Sequence, residues 1–446
     1  MNSIKFIRLG KVIERNTEQI SIDDNQTYKQ VTVRLWCKGV QLRNEVKGHE
    51  IKSAKRFIVK PNQFIISKID ARNGASGLIP EELNGAVITG DFLSFNCKED
   101  LILPEYLYWL SKTNWFIEQC VKASSGTTNR VRLNDKKFME IEIPLPNIEQ
   151  QKEVIRKING VVGTINEIES ELIQQNELAI ELEKAILYQA IQGQIVEQDP
   201  NDEPALELLK KLQLEKERQI REKIIKKEKK SYPISEIPYE LPKGWEWVRI
   251  NQIGELSRGK SKHRPRNDER LYKDGIYPFV QTGDVARSNG LIETYSNMYN
   301  DVGLQQSRLW PKGTLCITIA ANIADTGILN FDACFPDSVV GFIPFKPIQS
   351  AEYLQYFFMV AKDDLIKYAP STAQKNINLE ILNNLVIPLP PLNEMLRIIS
   401  TVKSLMVKCE RLKVYIESNL KNCELLLQKT LQEVLQLDQQ KEEVLV

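Results

Sequence analysis

Histidine and cysteine are scarce in this chain of 446 residues, which contains two histidines and seven cysteines. The cysteines form no CxxC pair, so the sequence predicts neither a metal site nor a disulfide framework. With His49 and His263 as the sole imidazoles, a Ser-His-Asp catalytic set is implausible. The motifs GxGxxG, for a dinucleotide or methyl donor, and [DNS]PP[YFW], for amino-methyl transfer, are also missing. We therefore expect a non-catalytic chain, with any catalysis carried by a partner.

Long apolar runs and an excess of one charge are lacking as well. No run of 18 apolar residues occurs, and Met1 to Val12 has no signal-peptide core, which predicts a cytoplasmic protein without membrane contact. The 60 Lys and Arg residues balance 59 Asp and Glu residues, giving a net charge of +1. A strong and isolated non-specific DNA binder is normally more basic. If nucleic acid is the ligand, partners should therefore supply much of the affinity.

One phosphate-binding pattern is present without its structural context. Residues 254–261 read Gly-Glu-Leu-Ser-Arg-Gly-Lys-Ser and satisfy the pattern GxxxxGK[ST]. The next residues, 262–267, offer no apolar face for a helix and include Pro265. Because this pattern binds phosphate at the start of a helix, we do not expect an NTPase.

The most informative feature present is an internal repeat. Pro144-Leu145-Pro146 recurs as Pro388-Leu389-Pro390, a spacing of 388 − 144 = 244 positions. The same spacing relates Asn134 to Asn378 and extends well beyond the proline element into the segments that follow. A self-similarity of this length indicates a duplicated unit.

After each Pro-Leu-Pro element, apolar residues recur every three or four positions without an internal proline, as in the seam of a coiled coil. Each copy therefore predicts one helix of about 44 residues, roughly 66 Å long. Two surface helices packed on separate cores are the alternative. The predicted seam residues are Ile155, Ile158, Val162, Ile165, Leu172, Ile186, Ile399, Val402, Met406, Ile416, Leu420 and Leu427.

The ends and the centre of the helices carry further signals. Asn147 and Gln150 form a predicted capping box at the start of the first helix, and Gly193 lies where that helix should end. If the helices pair antiparallel about their midpoints, Glu169 and Lys413 should meet near the centre, because they occupy the same position in the two copies.

The two segments that precede the helices are related but differ in loop length. Phe6-x-Arg8-Leu9 recurs as Trp247-x-Arg249-Ile250 at a spacing of 241, whereas Pro61 recurs as Pro311 at a spacing of 250. Short apolar runs such as 64–69 and 91–95 predict strands. The changing spacing indicates loops of variable length on a fixed framework.

Between the copies, residues 193–243 carry mixed charges at helical spacing and then Pro233, Pro238 and Pro242. A nucleic-acid-binding arm and a solvated helix face are both possible, and mixed-sign charge favours the solvated face within a linker.

This organisation resembles the specificity (S) subunit of type I restriction-modification systems over essentially the whole chain. The most specific matches are the connector 197–204 with 237–248, the run from Tyr277 to Val285, and Pro144-Leu-Pro-Asn-Ile-Glu-Gln150. The second helix departs from the pattern, because Asn393-Glu394 replaces Glu149-Gln150.

The resemblance implies an α+β fold with two similar globular α/β target recognition domains separated by two long antiparallel coiled-coil helices, related by a pseudo-twofold repeat. Each recognition domain would read one half of a gapped bipartite DNA target. The predicted divisions are a recognition domain at 1–146, a helix at 147–192, a charged linker at 193–243, a second recognition domain at 244–390, a helix at 391–437 and a tail at 438–446.

The resemblance also implies partners. The helices would set the spacing of the two half-sites and dock two methyltransferase (M) subunits, which use S-adenosylmethionine, beside motor-nuclease (R) subunits that use ATP and Mg²⁺. No cofactor is expected on this chain itself. A coiled-coil scaffold without DNA readout is the alternative function.

Base readout in the major groove needs Arg, Lys, Asn and Gln on loops that reach the bases. The basic cluster 260–266 is the one in which we most expect phosphate or base contact. The candidates are Arg34, Lys38, Gln41, Arg43, Asn44, Arg72, Asn73, Asn129 and Arg130 in the first unit, and Lys260, Lys262, Arg264, Arg266, Gln281, Arg287, Asn289, Gln305, Gln306, Gln374, Lys375 and Asn376 in the second.

Overall fold

A computed structural model describes residues 5–51, 56–126, 131–226, 234, 237, 239–263, 265–320, 323–367, 377–435 and 437. Contacts within the chain divide it into two compact units, which we call unit 1 (Met1–Gln175 and Ile416–Val446) and unit 2 (Asn176–Tyr415). The domain boundaries predicted from the repeat stay a prediction. Among the described residues, no helix combines the length and apolarity needed to cross a bilayer.

The first half of the chain alternates short strands and short helices before one long helix. Short 3-10 helices also occur at Gly48–Glu50, Ala71–Asn73 and Glu81–Leu83. The elements are β1 (Lys5–Arg8), α1 (Leu9–Val12), β2 (Ile13–Arg15), β3 (Gln19–Ile20), β4 (Thr27–Val33), β5 (Val40–Lys47), β6 (Arg56–Ile58), β7 (Phe64–Ser67), β8 (Ser76–Leu78), β9 (Val87–Ile88), β10 (Phe92–Cys97), α2 (Pro104–Ser111), α3 (Asn114–Lys122), β11 (Ser124–Ser125), β12 (Arg132–Leu133), α4 (Asp135–Met139), β13 (Glu142–Leu145) and α5 (Ile148–Ile191).

The second half follows the same plan. A 3-10 helix also occurs at Glu269–Leu271. The elements are α6 (Ala205–Arg221), β14 (Glu246–Arg249), α7 (Ile250–Ile253), β15 (Gly254–Arg258), β16 (Tyr277–Phe279), α8 (Thr282–Ala286), β17 (Leu291–Ile292), β18 (Asn297–Tyr299), α9 (Asp301–Gln305), β19 (Leu315–Thr318), β20 (Thr326–Leu329), β21 (Val339–Pro344), α10 (Glu352–Lys367), α11 (Leu379–Asn384), β22 (Val386–Leu389) and α12 (Leu392–Val434).

Both units contain the same antiparallel framework. The strand order β2-β10-β7-β8 in unit 1 corresponds to β15-β21-β19-β20 in unit 2. A separate strand pair, β1 with β13 and β14 with β22, joins the start of each framework to the strand before the long helix. The central framework strands β7, β10, β19 and β21 are largely buried, with Phe64, Phe95, Leu315 and Phe342 at most 2% exposed. This duplication and the mixed α and β content confirm the predicted fold class.

The two units differ in the segment that lies, along the chain, between the first and the second framework strand. In unit 1, residues 16–63 between β2 and β7 supply most of a five-stranded sheet of order β3-β6-β9-β4-β5. In unit 2, residues 259–314 between β15 and β19 supply the strand pair β16-β18, helices α8 and α9, and the edge strand β17. We call these two segments the insertions. They account for the change in repeat spacing between Arg8 and Pro61.

The long helices α5 and α12 contribute residues to both units. The predicted capping box at the start of α5 is confirmed, because Gln150 N–H donates to Asn147 Oδ1 at 2.9 Å and Asn147 N–H donates to Gln150 Oε1 at 3.1 Å. The helix ends as predicted at Gly193, which has φ of +70°, while Gln194 N–H donates to Gln189 O at 2.9 Å.

Within unit 1, the beginning of α5 packs antiparallel on the end of α12. Ile155 and Ile158 share a buried cluster with Leu431, whereas Ile165 and Leu172, further along α5, share one with Ile416 and Cys423, which lie earlier in α12. Of the predicted seam, Val162, Met406, Leu420 and Leu427 are partly buried, and the rest are buried.

The predicted meeting of Lys413 with Glu169 is wrong. Lys413 Nζ instead donates to Glu183 Oε2 at 2.6 Å. Glu183 lies 183 − 169 = 14 residues beyond Glu169 in the same helix, roughly 21 Å along its axis. The physical reason is that burial of apolar residues in the seam sets the register of the helices, and the polar pair forms where that register brings opposite charges together.

The predicted linker contains a packed helix. In α6, Ala205, Leu208 and Leu212 are at most 1% exposed, and Lys216 Nζ donates to Asn251 O at 2.6 Å. The charged face predicted from sequence is therefore one side of an amphipathic helix that packs on the framework of unit 2.

One buried hydrogen bond occurs in both units. Tyr106 Oη in α2 donates to Pro144 O at 2.9 Å, and Tyr353 Oη in α10 donates to Pro388 O at 3.0 Å. Both hydroxyls are deeply buried, and burial raises the pKa of both tyrosines. Each bond ties the strand before a long helix to the helix that covers the framework.

We predict that Tyr106→Phe and Tyr353→Phe each lower the free energy of unfolding by about 1 to 3 kcal/mol, because each leaves a buried proline carbonyl without its donor. Urea denaturation of the full chain measures this. Tyr415→Phe, at a tyrosine that is 65% exposed, is the matched control and should change little. Equal stability of all three variants would contradict the prediction.

Candidate nucleic-acid interface

In unit 1, seven of the nine predicted DNA-contacting residues lie on one hairpin and on the loop beneath its turn. Strands β4 and β5 pair over their whole length, with a bulge between Gln30 and Val31. Strand β5 is the edge of its sheet, and all its residues are exposed or only partly buried. We call this hairpin the ribbon. Five candidates lie on it, and all are exposed: Arg34, Lys38, Gln41, Arg43 and Asn44.

The turn of the ribbon is attached to the 3-10 helix that carries Arg72 and Asn73. Trp36 N–H donates to Asn73 O at 2.8 Å, and Cys37 N–H donates to Gly74 O at 3.1 Å. The structure therefore brings Arg72 and Asn73 to the base of the ribbon turn. The other two unit 1 candidates, Asn129 and Arg130, lie outside the described residues.

The ribbon turn and the loop fit closely because Gly74 has no side chain. Gly74 has φ of +70°, and a Cβ there would lie 2.9 Å from Cys37 Sγ. The Cys37 side chain points inward, with Sγ 3.8 Å from Lys112 O. Burial raises the pKa of this thiol, and the charge of Lys112 offsets part of the rise. Cys37 therefore anchors the turn as a neutral thiol.

In unit 2, most of the candidates belong to the insertion, and two of them line a cleft. Lys260, Lys262 and Arg266 are exposed on the loop after β15. Arg266 and Gln281 both line a cleft of about 780 Å³, together with Ser261, Tyr272, Phe279 and Ser338. Arg264, Gln374, Lys375 and Asn376 lie outside the described residues.

Several polar side chains of this insertion are occupied in holding its loops. Gln306 Oε1 accepts from Lys262 N–H at 2.6 Å and from His263 N–H at 3.0 Å. Asp268 accepts from His263 Nε2 at 2.7 Å, and the hydrogen bond from Arg270 lowers the pKa of Asp268. Gln306 therefore positions the basic loop through its side-chain oxygen.

The motif from Tyr277 to Val285 forms a strand and a capped helix. Gln281 caps α8, and Gln281 N–H donates to the buried Asp284 Oδ2 at 2.8 Å. Arg287 Nη2 donates to Asp284 Oδ1 at 2.9 Å, and Ser296 donates to the same oxygen. The Asp284 carboxylate thus accepts hydrogen bonds from three segments of the insertion. The motif therefore contributes to the folding of the insertion.

The remaining candidates of unit 2 do not line the cleft. Asn289 is exposed with φ of +47°, the conformation of a turn former. Gln305 is exposed at the end of α9. Arg287 follows α8. These three residues are therefore separate from the surface that Arg266 and Gln281 share.

The phosphate-binding pattern at 254–261 does not lead directly into a helix among the described residues. Gly254–Arg258 is strand β15, and Gly259 N–H donates to Val339 O at 2.9 Å, which continues the pairing with β21. All seven cysteines are free thiols, and the described residues contain no group of His, Cys, Asp and Glu arranged to hold a metal ion.

The fold and these surfaces define a duplicated protein with two candidate binding surfaces, one on each insertion, and two long helices. A family model described as type I restriction modification DNA specificity domain matches residues 1–178 and 242–421. The chain belongs to this family, the specificity subunits of type I restriction-modification systems, as the resemblance predicted.

Individual relatives agree with the family assignment. The chain is 30% identical over 253 residues to the type I restriction enzyme EcoEI specificity subunit of Escherichia coli, covering 53% of this chain and 42% of the relative. It is 25% identical over 377 residues to the EcoAI specificity subunit of the same organism, covering 72% of this chain and 62% of that relative. The chain thus spans about half the length of these two relatives.

Solved structures share the fold. The HsdS subunit from Thermoanaerobacter tengcongensis has a TM-score of 0.58 at 17% identity, with 97% of each chain covered. A second solved structure, which concerns complex assembly and conformational transition of the type I R-M system, contains a chain with a TM-score of 0.70 at 18% identity, with 98% of each chain covered.

We predict that Gly74→Ala loosens the ribbon turn. The substitution places a Cβ against Cys37 at a positive φ, whereas Gly85→Ala places one at φ of +78° with no atom within 4 Å. Both variants should lose roughly 1 to 2 kcal/mol of stability for the left-handed backbone. Gly74→Ala alone should also speed hydrogen exchange of the Trp36 and Cys37 amides.

Hydrogen-deuterium exchange of the peptide covering 34–39 measures this difference. Similar exchange in the Gly74→Ala and Gly85→Ala variants would contradict a close fit between the loop and the ribbon.

Proposed function

We propose that this chain is the DNA sequence-specificity subunit of a type I restriction-modification complex, and that each insertion reads one half of a gapped bipartite target. The observation that carries the proposal is topological. In both units the polar candidates concentrate in the segment inserted between the first two framework strands of the chain. A duplicated framework with different insertions suits the reading of two different half-sites at a set spacing.

The ribbon of unit 1 is a pair of antiparallel strands, an element that the major groove can accommodate. The major groove admits a two-stranded β-ribbon, and Arg and Asn are the side chains that pair with guanine and adenine edges there. Strand β5 presents Arg43 and Asn44 on an exposed sheet edge, and Arg34 and Lys38 flank the turn. In this arrangement β5 supplies the base contacts, and the cations near the turn also contact phosphates.

In unit 2, the basic loop that Gln306 holds takes the corresponding role. Lys260 and Lys262 are exposed beside the cleft that contains Arg266. Arg266 Nη2 lies 2.6 Å from Asp337 Oδ1 in an exposed ion pair. Such a pair costs little to open, so the guanidinium is available to DNA.

The long helices would dock two methyltransferase subunits. Apolar residues remain exposed at equivalent positions of the two copies: Ile168 (40%) and Leu412 (39%), and Leu182 (48%) and Leu426 (50%). Each pair is separated by 244 positions. Exposed apolar residues grouped on a surface indicate a protein interface, and their duplication supports two equivalent partners.

Catalysis in the proposed complex belongs to the partners. The methyltransferase subunits would hold S-adenosylmethionine, and motor-nuclease subunits would hold ATP and Mg²⁺. This chain would act in the cytoplasm, as a non-catalytic subunit that selects the double-stranded DNA sequence.

We predict that substitutions in the two insertions relax different halves of the target. The double variant Arg43→Ala/Asn44→Ala should reduce discrimination in one half-site by on the order of 10- to 100-fold, because each base contact contributes about 1 to 3 kcal/mol. Lys262→Ala should act at the other half-site or on overall affinity. Methylation rates of the complex with its methyltransferase subunits, on duplexes changed one base pair at a time, measure both effects.

Asn25→Ala, at an exposed residue before the start of β4, is the control and should change neither half-site. Methylation sequencing of the host genome with and without the gene identifies the target. If no N6-methyladenine motif depends on the gene, the alternative of a scaffold without DNA readout gains support.

We predict that Ile168→Glu and Leu412→Glu each remove one methyltransferase subunit and that the double variant removes both, because each buries a charge in one of two equivalent interfaces. Native mass spectrometry of the assembled complex counts the subunits. Asn166→Glu adds a charge at an exposed polar position of the same helix and is the control. Two bound subunits in the double variant would refute docking at these positions.

A further inference from the structure

The outermost residue of the unit 1 ribbon is a tryptophan in solvent. Trp36 is 70% exposed, the highest value among the large hydrophobic side chains of the described residues. An indole gains free energy when its large apolar surface leaves water. Trp36 belongs to none of the buried clusters of the described residues, so its indole surface is available to a ligand.

The backbone of the turn that carries this side chain is strained. Leu35 O accepts from Lys38 N–H at 3.3 Å, and the two central residues, Trp36 and Cys37, both have φ of 58°. A turn with two positive φ values normally contains Asn-Gly or Asp-Gly. A bulky residue in this region is a conformational outlier, and such outliers concentrate at functional sites.

The surroundings of the turn fix its orientation. The N–H groups of Trp36 and Cys37 donate to the loop at Asn73 and Gly74, and the Cys37 side chain is directed toward Lys112 O. With Cys37 anchored inward, the indole of the preceding residue lies on the outside. Exposed Arg34 and Lys38 flank it in sequence. The turn of the ribbon thus carries an exposed aromatic ring with a cationic residue two positions away on each side in sequence.

We propose that Trp36 is a specificity-determining residue, whose indole makes an apolar contact with the bases of the half-site that unit 1 reads. This inference rests on the proposed function and adds to it, since Arg, Lys, Asn and Gln supply hydrogen bonds and phosphate contacts but no apolar surface. Apolar side chains distinguish bases in the major groove through the thymine methyl group, and the indole of Trp36 offers such an apolar surface.

The test compares Trp36→Asn with Trp36→Phe in the complex reassembled with its methyltransferase subunits. Asparagine adopts positive φ more readily than tryptophan, so W36N should keep or raise the melting temperature while it removes the ring. W36N should accept changed base pairs at one or two positions of a single half-site about 10-fold more readily. W36F, which keeps an aromatic ring on the same backbone, should retain most of the discrimination.

Methylation rates on duplexes changed one base pair at a time in both half-sites provide the readout. Leu101→Asn, at a residue of unit 1 that is 41% exposed outside the insertion, is the control and should leave both half-sites unchanged. Unaltered discrimination in W36N would overturn the role of Trp36, and so would an equal loss on every duplex. If the wild-type complex itself does not discriminate between the duplexes, the proposed function is contradicted before the role of Trp36 is tested. The two failures are therefore distinguishable.

Discussion

Burial of the apolar seam along α5 and α12 is the interaction on which each unit depends. A side chain such as Ile158 or Val402, both fully buried, contributes about 1.5 to 3 kcal/mol. The seam also fixes register, since a shift of either helix would expose these side chains. The ion pair between Lys413 and Glu183 follows from that register. Strands β13 and β22 lead directly into α5 and α12. Each framework is therefore attached to a helix whose register is fixed.

The insertions show why sequence variation is tolerated on this framework. Residues 16–63 and 259–314 leave and rejoin the sheet at equivalent strands, so their length affects neither the framework pairing nor the helices. The framework bonds are duplicated, as between Tyr106 and Pro144 and between Tyr353 and Pro388, whereas the sheet β3-β6-β9-β4-β5 of unit 1 has no counterpart among the described residues of unit 2. A surface that can be exchanged without disturbing the helices suits a family that reads different DNA sequences.

Much of the fold could be predicted from the sequence because its signals are local or repeated. The capping box at Asn147 and the helix end at Gly193 depend on adjacent residues, and Asn134 and Asn378, related by the repeat, cap α4 and α11. The site was less predictable. Trp36 has no amide, guanidinium or ammonium group of the kind sought for base contact, and the role that we propose for it depends on its φ, its exposure and a loop nearly 40 positions away. Gln306 looks like a base reader in sequence, yet it holds a loop through contacts with residues 262 and 263.

The charge balance limits how such a chain can bind DNA. In unit 2, Arg270 and Arg287 pair with the largely buried carboxylates of Asp268 and Asp284, whose side chains are 12% and 4% exposed. A phosphate would have to compete with these carboxylates, so few counterions would be released and the affinity of the isolated chain would be modest. Partner subunits would then hold the DNA, and base contacts from the ribbon and the basic loop would discriminate among its sequences. A net charge of +1 is consistent with that division of work, because a subunit with strong non-specific affinity would lose discrimination between its target and other DNA.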